Sequence, residues 1–424
     1  MTEAVPAAGR DDLWLVLPHL GAGGAQKVAL IAARHFAAQG LKVKLVTLIP
    51  GHPLAHSLPD GIPWLELGAP THRSWWARGG RFILAQLDKL IRWLFQLLLR
   101  WFASWFQARV RQGGRGLAMQ LFQVGTEATA GLRFRQLRRQ FRRQRPHRVL
   151  SLLTRTNITC CCAAWDLPIH LVVSERNDPS RQLLPEVWQR LRPLAYRRAQ
   201  VVTANTAGVL SALEPMGPWD RLALLPNPLP GAPALATGDS ATSTSASRPI
   251  GFINVARMVP QKGLDVLIAA LPRLRGAAAS WPVTLVGDGP ERETLQKQSQ
   301  DLGVSGRLRC LGFRSDPEQF LAEAAVFVLP SRFEGMPNAL LEAMAAGLAV
   351  IVTDASPGPL EMVEPGVSGL VVPSDDPAAL ANAMEVLAAD PERCLRMGAA
   401  ARARIAALDW PQLEPLWRSI LALP

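Results

Sequence analysis

Four side chains in the second half of the sequence carry chemistry by type and spacing. Arg257 and Lys262, five residues apart, can clamp a diphosphate, the guanidinium as a planar fork and the ammonium as a point charge. Glu334 and Glu342, with seven residues between them, are paired carboxylates whose partners in such a setting are hydroxyl groups. Each pair needs elements to hold it. The apolar run 250–255 reads as a strand that delivers Arg257 and Lys262 to the loop after it. Residues 325–330 read as another buried strand, 339–346 as a helix stopped by Gly347, and 349–352 as the next strand. Glu334 then lies in the turn and Glu342 one helix later. A strand, a tight turn and a helix N-terminus at the carboxyl end of a parallel sheet attract phosphate through free N–H groups and the helix dipole.

The frame from Arg332 to Gly347, centred on Phe333-Glu334-Gly335-Met336-Pro337-Asn338, resembles the paired-glutamate motif of glycosyltransferase family 4, retaining enzymes of the GT-B fold that use nucleotide sugars. The resemblance implies an α/β chain of two Rossmann-like domains facing each other across a cleft. It implies that Glu334 faces the donor sugar near the reacting centre and that Glu342 accepts hydrogen bonds from the ribose. Gly335, Met336, Pro337, Asn338, Ala339 and Leu340 would border the donor. Arg257 and Lys262 match the family's basic pair, which neutralises the leaving nucleotide diphosphate without a metal, so neither cofactor nor metal ligand is expected. By the same resemblance the turn at Gly287 lies near the nucleotide, and Gly312 lies in the segment whose backbone reads the base.

The first half opens as a βαβ unit: an apolar run at 13–18, a glycine-rich turn at 21–27, a helix over 28–39 ended by Gly40, and a strand over 41–48. Glycines there let backbone approach a pyrophosphate. The spacing is not the dinucleotide fingerprint and no acidic residue ends the second strand, which argues against a nicotinamide cofactor. Family members carry a similar Gly-Gly-Ala turn facing the donor phosphates, which puts Gly23 and Gly24 at the donor. Thr154-Arg155-Thr156-Asn157 reads as a polar turn before an Ala/Cys-rich helix, and Ser174-Glu175-Arg176-Asn177-Asp178-Pro179 follows the strand 169–173. Loops on the carboxyl ends of neighbouring strands point into one cleft. The second loop is similar to one in family members that extend lipid-linked or surface polysaccharides. Arg155, Asn157, Arg176 and Asn177 are accordingly expected on the acceptor side, and Glu175 among the catalytic residues with Glu334, Arg257 and Lys262. The organisation expected is a first domain over 1–228, an Ala/Ser/Thr linker over 229–249, a nucleotide-sugar domain over 250–408, and a crossover tail over 409–424 that packs back on the first domain.

A chain of 424 residues is long enough for two cores, and 49% hydrophobic with 19% charged residues excludes a largely disordered protein. The net charge of +12 is concentrated in an insertion over about 70–145: 17 Lys/Arg and only Asp88 and Glu127 fall between Arg73 and Arg148. Within it, residues 82–106 form an apolar helix with one polar stripe, Asp88, Arg92, Gln96, Arg100 and Ser104. Spanning a bilayer would bury Asp88, Lys89, Arg92 and Arg100 at roughly 2.5–3.5 kcal/mol each. A helix lying in the interface buries Trp93, Leu94, Leu98, Trp101, Trp105 and Phe106 instead. The arginine run 133–143 beside it would add roughly 1 kcal/mol per cation near an anionic leaflet. Core packing is the alternative for the apolar helix. Nucleic acid is disfavoured, because the aromatics sit in a continuous apolar face rather than between the cations.

The five cysteines, Cys160, Cys161, Cys162, Cys310 and Cys394, form no disulfide framework or metal spacing and read as packing residues, the first three at a helix start in a reducing cytoplasm. Residues 1–10 lack the apolar core of a signal peptide. The expectation is a hexosyltransferase, peripheral on the cytoplasmic membrane face. It would move a hexose or N-acetylhexosamine with retention from a nucleotide sugar, UDP by resemblance, to a glycan or polyprenyl-diphosphate-linked acceptor. The alternatives are a soluble transferase or phosphorylase acting on a small acceptor, and a noncatalytic membrane-associated nucleotide-binding protein.

Overall fold

Short runs of Val, Leu and Ile separated by helices fold into two parallel sheets. The computed structural model describes residues 10–68, 131–229 and 250–424, with positions 90, 91, 93–95, 97, 98, 101, 124–127 and 129 between them. In the first sheet β1 (Leu13–Leu17), β2 (Val43–Thr47), β3 (Trp64–Glu66), β4 (Arg148–Leu152), β5 (His170–Glu175), β6 (Val201–Ala204) and β7 (Leu222–Leu224) run in the order β3-β2-β1-β4-β5-β6-β7. In the second, β8 (Phe252–Val255), β9 (Val283–Val286), β10 (Leu308–Gly312), β11 (Val326–Leu329), β12 (Ala349–Thr353) and β13 (Leu370–Val372) run in the order β10-β9-β8-β11-β12-β13. All pairings are parallel. Helices cover both faces, which is why β1, β11 and β12 are buried along their whole length. The order reverses between β1 and β4 and between β8 and β11, and these switch points open crevices at the strands' carboxyl ends. The expected pair of Rossmann-like domains is present.

Local boundaries differ in instructive ways. The first helix, α1 (Gly24–Ala38), begins four residues before its apolar periodicity, so the glycine turn is its N-terminus. β3, three residues long, carries too little pattern to be foreseen. The arginine-rich helix α2 (Leu132–Gln144) turns Phe134, Leu137 and Phe141 into the core against Trp14 and leaves its arginines on the other face. Thr154-Arg155-Thr156-Asn157 is not a separate turn but the start of α3 (Thr154–Ala163), and Cys160, Cys161 and Cys162 lie fully buried in that helix's second half rather than at its start.

In the second domain α4 (Asn338–Ala345) follows β11. The last helix, α5 (Trp410–Leu421), follows the second domain in sequence yet packs on the first. Leu413, Trp417, Ile420 and Leu421 join the core of β1 and α1, Trp417 Nε1 donates to Pro226 O at 3.3 Å, and Trp410 stacks on His35 at 4.0 Å.

The insertion resolves into two faces at its described positions. Phe95 is buried and Leu98 packs with it against the cluster that holds α2, whereas Leu90, Trp93, Leu94 and Trp101 are exposed, Trp101 at 80%. Leu98, expected in a lipid interface, is thus partly buried against the core, because a helix greasy on all sides spends one side on the protein. Trp105, Phe106, the whole polar stripe and linker residues 230–249 lie outside the described residues. Among the described residues no helix is long and apolar enough to cross a membrane.

Candidate functional site

The carboxyl ends of the two sheets face each other across a cavity of about 450 Å3. On the second-domain wall, the loop after β8 brings Arg257 to the cavity, exposed, and Lys262 one short turn later. Lys262 Nζ lies 2.6 Å from Glu334 Oε1, and Ser331 Oγ donates to the same oxygen at 2.7 Å. The Glu334 N–H donates to Ser356 Oγ at 2.9 Å, so a residue only 5% exposed is held through both its backbone and its carboxylate. Gly287, at φ 142°, has backbone only glycine tolerates, and a Cβ there would lie 1.8 Å from Ala256 O. Gly335 allows an equally close approach between domains: its Cβ would meet Arg176 O at 2.3 Å. Met336, Pro337, Asn338 and Ala339 line the cavity at the start of α4, and Glu342 lies one turn further on. Burial pushes the Glu342 carboxyl above the usual range, an effect that Lys27 opposes.

Lys27 belongs to the other wall. Its Nζ reaches across from α1 to Glu342 Oε1 at 2.8 Å and to Glu318 Oε1, on the short helix Pro317–Ala322, at 2.9 Å. Gly23 and Gly24 precede it on the same wall, and Asn338 Nδ2 donates to Gly24 O at 2.9 Å. His19 also faces the cavity. The Gly21 N–H donates to its Nδ1 at 3.0 Å, and its ring stacks on His52 at 4.1 Å. Burial, with His52 and Arg257 nearby, lowers its pKa, so the neutral ring keeps its proton on Nε2.

The loop after β5 contributes Arg176 and Asn177 to the cavity. Arg176 is 6% exposed, donates through Nη1 to Leu225 O at 3.5 Å and to Asn227 Oδ1, and leaves Nε and Nη2 without partners among the described residues. Burial lowers its pKa to about 9. Asn227 passes the link on, donating to Met336 O at 3.0 Å and to Asn338 Oδ1 at 2.5 Å. A continuous polar seam therefore joins the walls beneath the Glu334 loop.

Five of the expected site residues are placed elsewhere. Glu175 is almost fully buried behind the sheet, accepting from Tyr196 Oη and from Thr154 Oγ1 at 2.8 Å, with Arg192 Nε 3.7 Å away. Asn157 is buried too, accepting from Ser151 Oγ at 2.8 Å and donating to Ser174 O at 2.9 Å. Successive strand residues point to opposite faces, so Glu175 turns to the helix layer where Arg176 turns to the cleft. Arg155 lies over the Trp188 ring at 5.8 Å, on the exposed side of α3. Leu340 is a core residue, because the helix carries it away from the opening turn. Gly312 stands back from the cavity while its neighbours Phe313 and Arg314 line it.

Sequence reasoning passed over His19, Lys27, His56, Asn205 and Asn227, which all line the cavity. Only Lys27 carried a local signal, a cation one turn into the helix that opens at the glycine turn. Among the described residues no group of three or more His, Cys, Asp or Glu side chains could hold a metal ion.

Residues 239–404 match the family described as glycosyl transferases group 1. The chain is 36% identical over 196 residues to the lipopolysaccharide core biosynthesis glycosyltransferase LpsE of Rhizobium meliloti (strain 1021), covering 46% of this chain and 56% of that protein. It is 39% identical over 166 residues to the GDP-mannose-dependent alpha-(1-6)-phosphatidylinositol monomannoside mannosyltransferase of Mycolicibacterium smegmatis, covering 37% and 42%. The chain spans about half the length of the curated relatives it matches. Its fold is similar to that of Anabaena Alr3699/HepE in complex with UDP-glucose, with a TM-score of 0.69 over 97% of this chain and 99% of that one at 17% identity. The architecture is GT-B.

Proposed function

We propose that this chain, whose residues 239–404 carry a group 1 glycosyl transferase domain, is a retaining glycosyltransferase that moves a hexose or N-acetylhexosamine from a nucleotide sugar, UDP in our reading, to a lipid-linked or polysaccharide acceptor. One observation carries the reading: Arg257, the Lys262–Glu334 pair and Glu342 line a single cavity opposite the Gly23–Gly24 turn. The donor diphosphate lies between Arg257, Lys262 and the glycine turn, the ribose hydroxyls reach Glu342, and the sugar rests over Glu334 and Gly335. As the glycosidic bond breaks, negative charge grows on the diphosphate, and the fixed cations and helix N–H groups stabilise it. The acceptor hydroxyl attacks from the same face, beside Arg176 and Asn177, and its proton passes to the oxygen of the departing diphosphate. No side chain acts as a covalent nucleophile, and the basic pair takes the role a metal would fill.

A lipid-linked acceptor agrees with the activities named for the relatives and with the insertion. Leu90, Trp93, Leu94 and Trp101 expose an apolar face on a helix that docks in the same cluster as the arginine-bearing α2, a combination suited to the anionic cytoplasmic face of a membrane.

The test is turnover of UDP-, GDP- and ADP-sugars with detergent-solubilised polyprenyl-diphosphate sugars, with and without chelator. Wild type is expected to turn over one nucleotide sugar without metal, and Glu334→Ala and Lys262→Ala to lose about 10²–10³-fold in kcat. Full turnover by Glu334→Ala would remove the catalytic reading. Flotation with anionic vesicles tests the membrane contact: the double variant Trp93→Ser/Trp101→Ser is expected to stay in solution while still binding donor, and unchanged flotation overturns that contact.

A further inference from the structure

We propose that Lys27 is a positioning residue for the donor: its ammonium, carried by the first domain, closes the cleft by pairing with Glu342 and Glu318 of the second and holds the Glu342 carboxylate ready for the ribose hydroxyls. The proposal rests on the reading of Glu342 as the ribose ligand. Its geometry is independent of that reading. One Nζ stands 2.8 Å from Glu342 and 2.9 Å from Glu318, and these are ion pairs between the two domains. The three side chains are 18%, 5% and 33% exposed, so the ammonium and Glu342 are largely desolvated. Among the described residues, Lys27 is the only cation paired with Glu342.

The electrostatics give this one cation two tasks. Glu342 is faced by Lys27 from α1 and by Glu318 from the short helix, and Lys27 is itself faced by His56, whose pKa is lowered by burial and by Lys27. Without Lys27 two carboxylates would face each other in a low-dielectric pocket, and burial would already favour the protonated form of Glu342. A protonated Glu342 has lost much of its capacity to accept from two ribose hydroxyls. An ionised carboxylate can accept about four hydrogen bonds, so the ammonium and the ribose can share it. Lys27 also lies one turn beyond Gly23 and Gly24, so closing this pair brings the glycine turn against the second domain, where Asn338 bonds Gly24 O.

The experiment has a ligand-free arm and a ligand arm, both on the full chain. Interdomain distances by fluorescence transfer, without ligand, are expected to show a closed cleft in wild type and Lys27→Arg and an opened one in Lys27→Met. The double variant Lys27→Glu/Glu318→Lys is expected to regain part of the closure. Calorimetric binding of UDP-glucose is expected to weaken about tenfold to a hundredfold in Lys27→Met. In that variant the loss of affinity on acidification is also expected to begin at a higher pH than in wild type, because Glu342 without its cation takes up a proton more readily as pH falls. A merely structural lysine would not move that pH profile. Binding by Lys27→Met as tight as wild type, or a cleft as closed, overturns the proposal. If wild type binds no nucleotide sugar, the donor reading fails, and the ligand-free distances still decide the role of Lys27 in closure.

Discussion

The two walls of the cleft are built differently. The second-domain wall takes its working groups from four short stretches, 255–262, 286–288, 313–317 and 329–342, each at the carboxyl end of a strand. The first-domain wall draws Lys27 from the start of α1 and His19, His56, Arg176, Asn205 and Asn227 from loops spread over more than half of that domain. The family match falls on the former, at residues 239–404. A diphosphate can be caged by groups a few residues apart, so its cage is written locally. The opposite wall has one such local stretch, the glycine turn leading to Lys27, and the rest of its shape is the sum of many strand ends. One residue of parity in β5 decides whether a carboxylate meets the cleft or the interior, and it sends Glu175 inward and Arg176 out.

That difference can be pressed experimentally. The largest effect is expected at Glu175. Glu175→Ala leaves Arg192 and Tyr196 buried without their carboxylate and should cost about 3–5 kcal/mol in urea unfolding, seen as lost fold rather than altered chemistry. A stable Glu175→Ala that binds donor yet does not turn over would return Glu175 to the catalytic set. Next comes Gly287→Ala on the second-domain wall. A side chain at φ 142° pressed on Ala256 O should destabilise by about 1–3 kcal/mol or more, with a lower denaturation midpoint even without ligand.

The smallest effect is expected where the tail meets the first domain. Arg418 first, then Gln39 and His35, hold the Glu414 carboxyl down at about 2. A folded pKa below the unfolded value contributes stability that is complete at neutral pH and is lost as pH falls from the ordinary carboxylate range toward about 2. Glu414→Gln should therefore cost under about 1 kcal/mol at pH 7 and nothing near pH 2, and an equal cost at both would deny the ion pairs their part.

Legibility followed the range of the interactions involved. Arg257, Lys262, Glu334 and Glu342 were readable because strand, turn and helix signals around them are local, and the cavity gathers all four. Asn157 and Arg155 were misplaced because the start of α3 carries no side-chain cap, so its polar first turn looks like a loop. The apolar insertion helix was ambiguous by its nature: periodicity marks a greasy face without saying what covers it, and contact with the α2 cluster alone separates Phe95 and Leu98 from Trp93 and Trp101.

The sequence by itself determined the alternation of buried strands and helices, the break into two α/β units, and the basic pair and paired glutamates at strand ends. All of these depend on neighbours within a turn or a strand of one another. Only the tertiary structure decided that Glu175 supports the sheet from behind, that Asn227 sews Arg176 to the Glu334 loop, and that Lys27 reaches Glu342 across the cleft. Those facts rest on contacts between residues tens to hundreds of positions apart, where ion pairing and burial act through space and leave no periodicity in the chain.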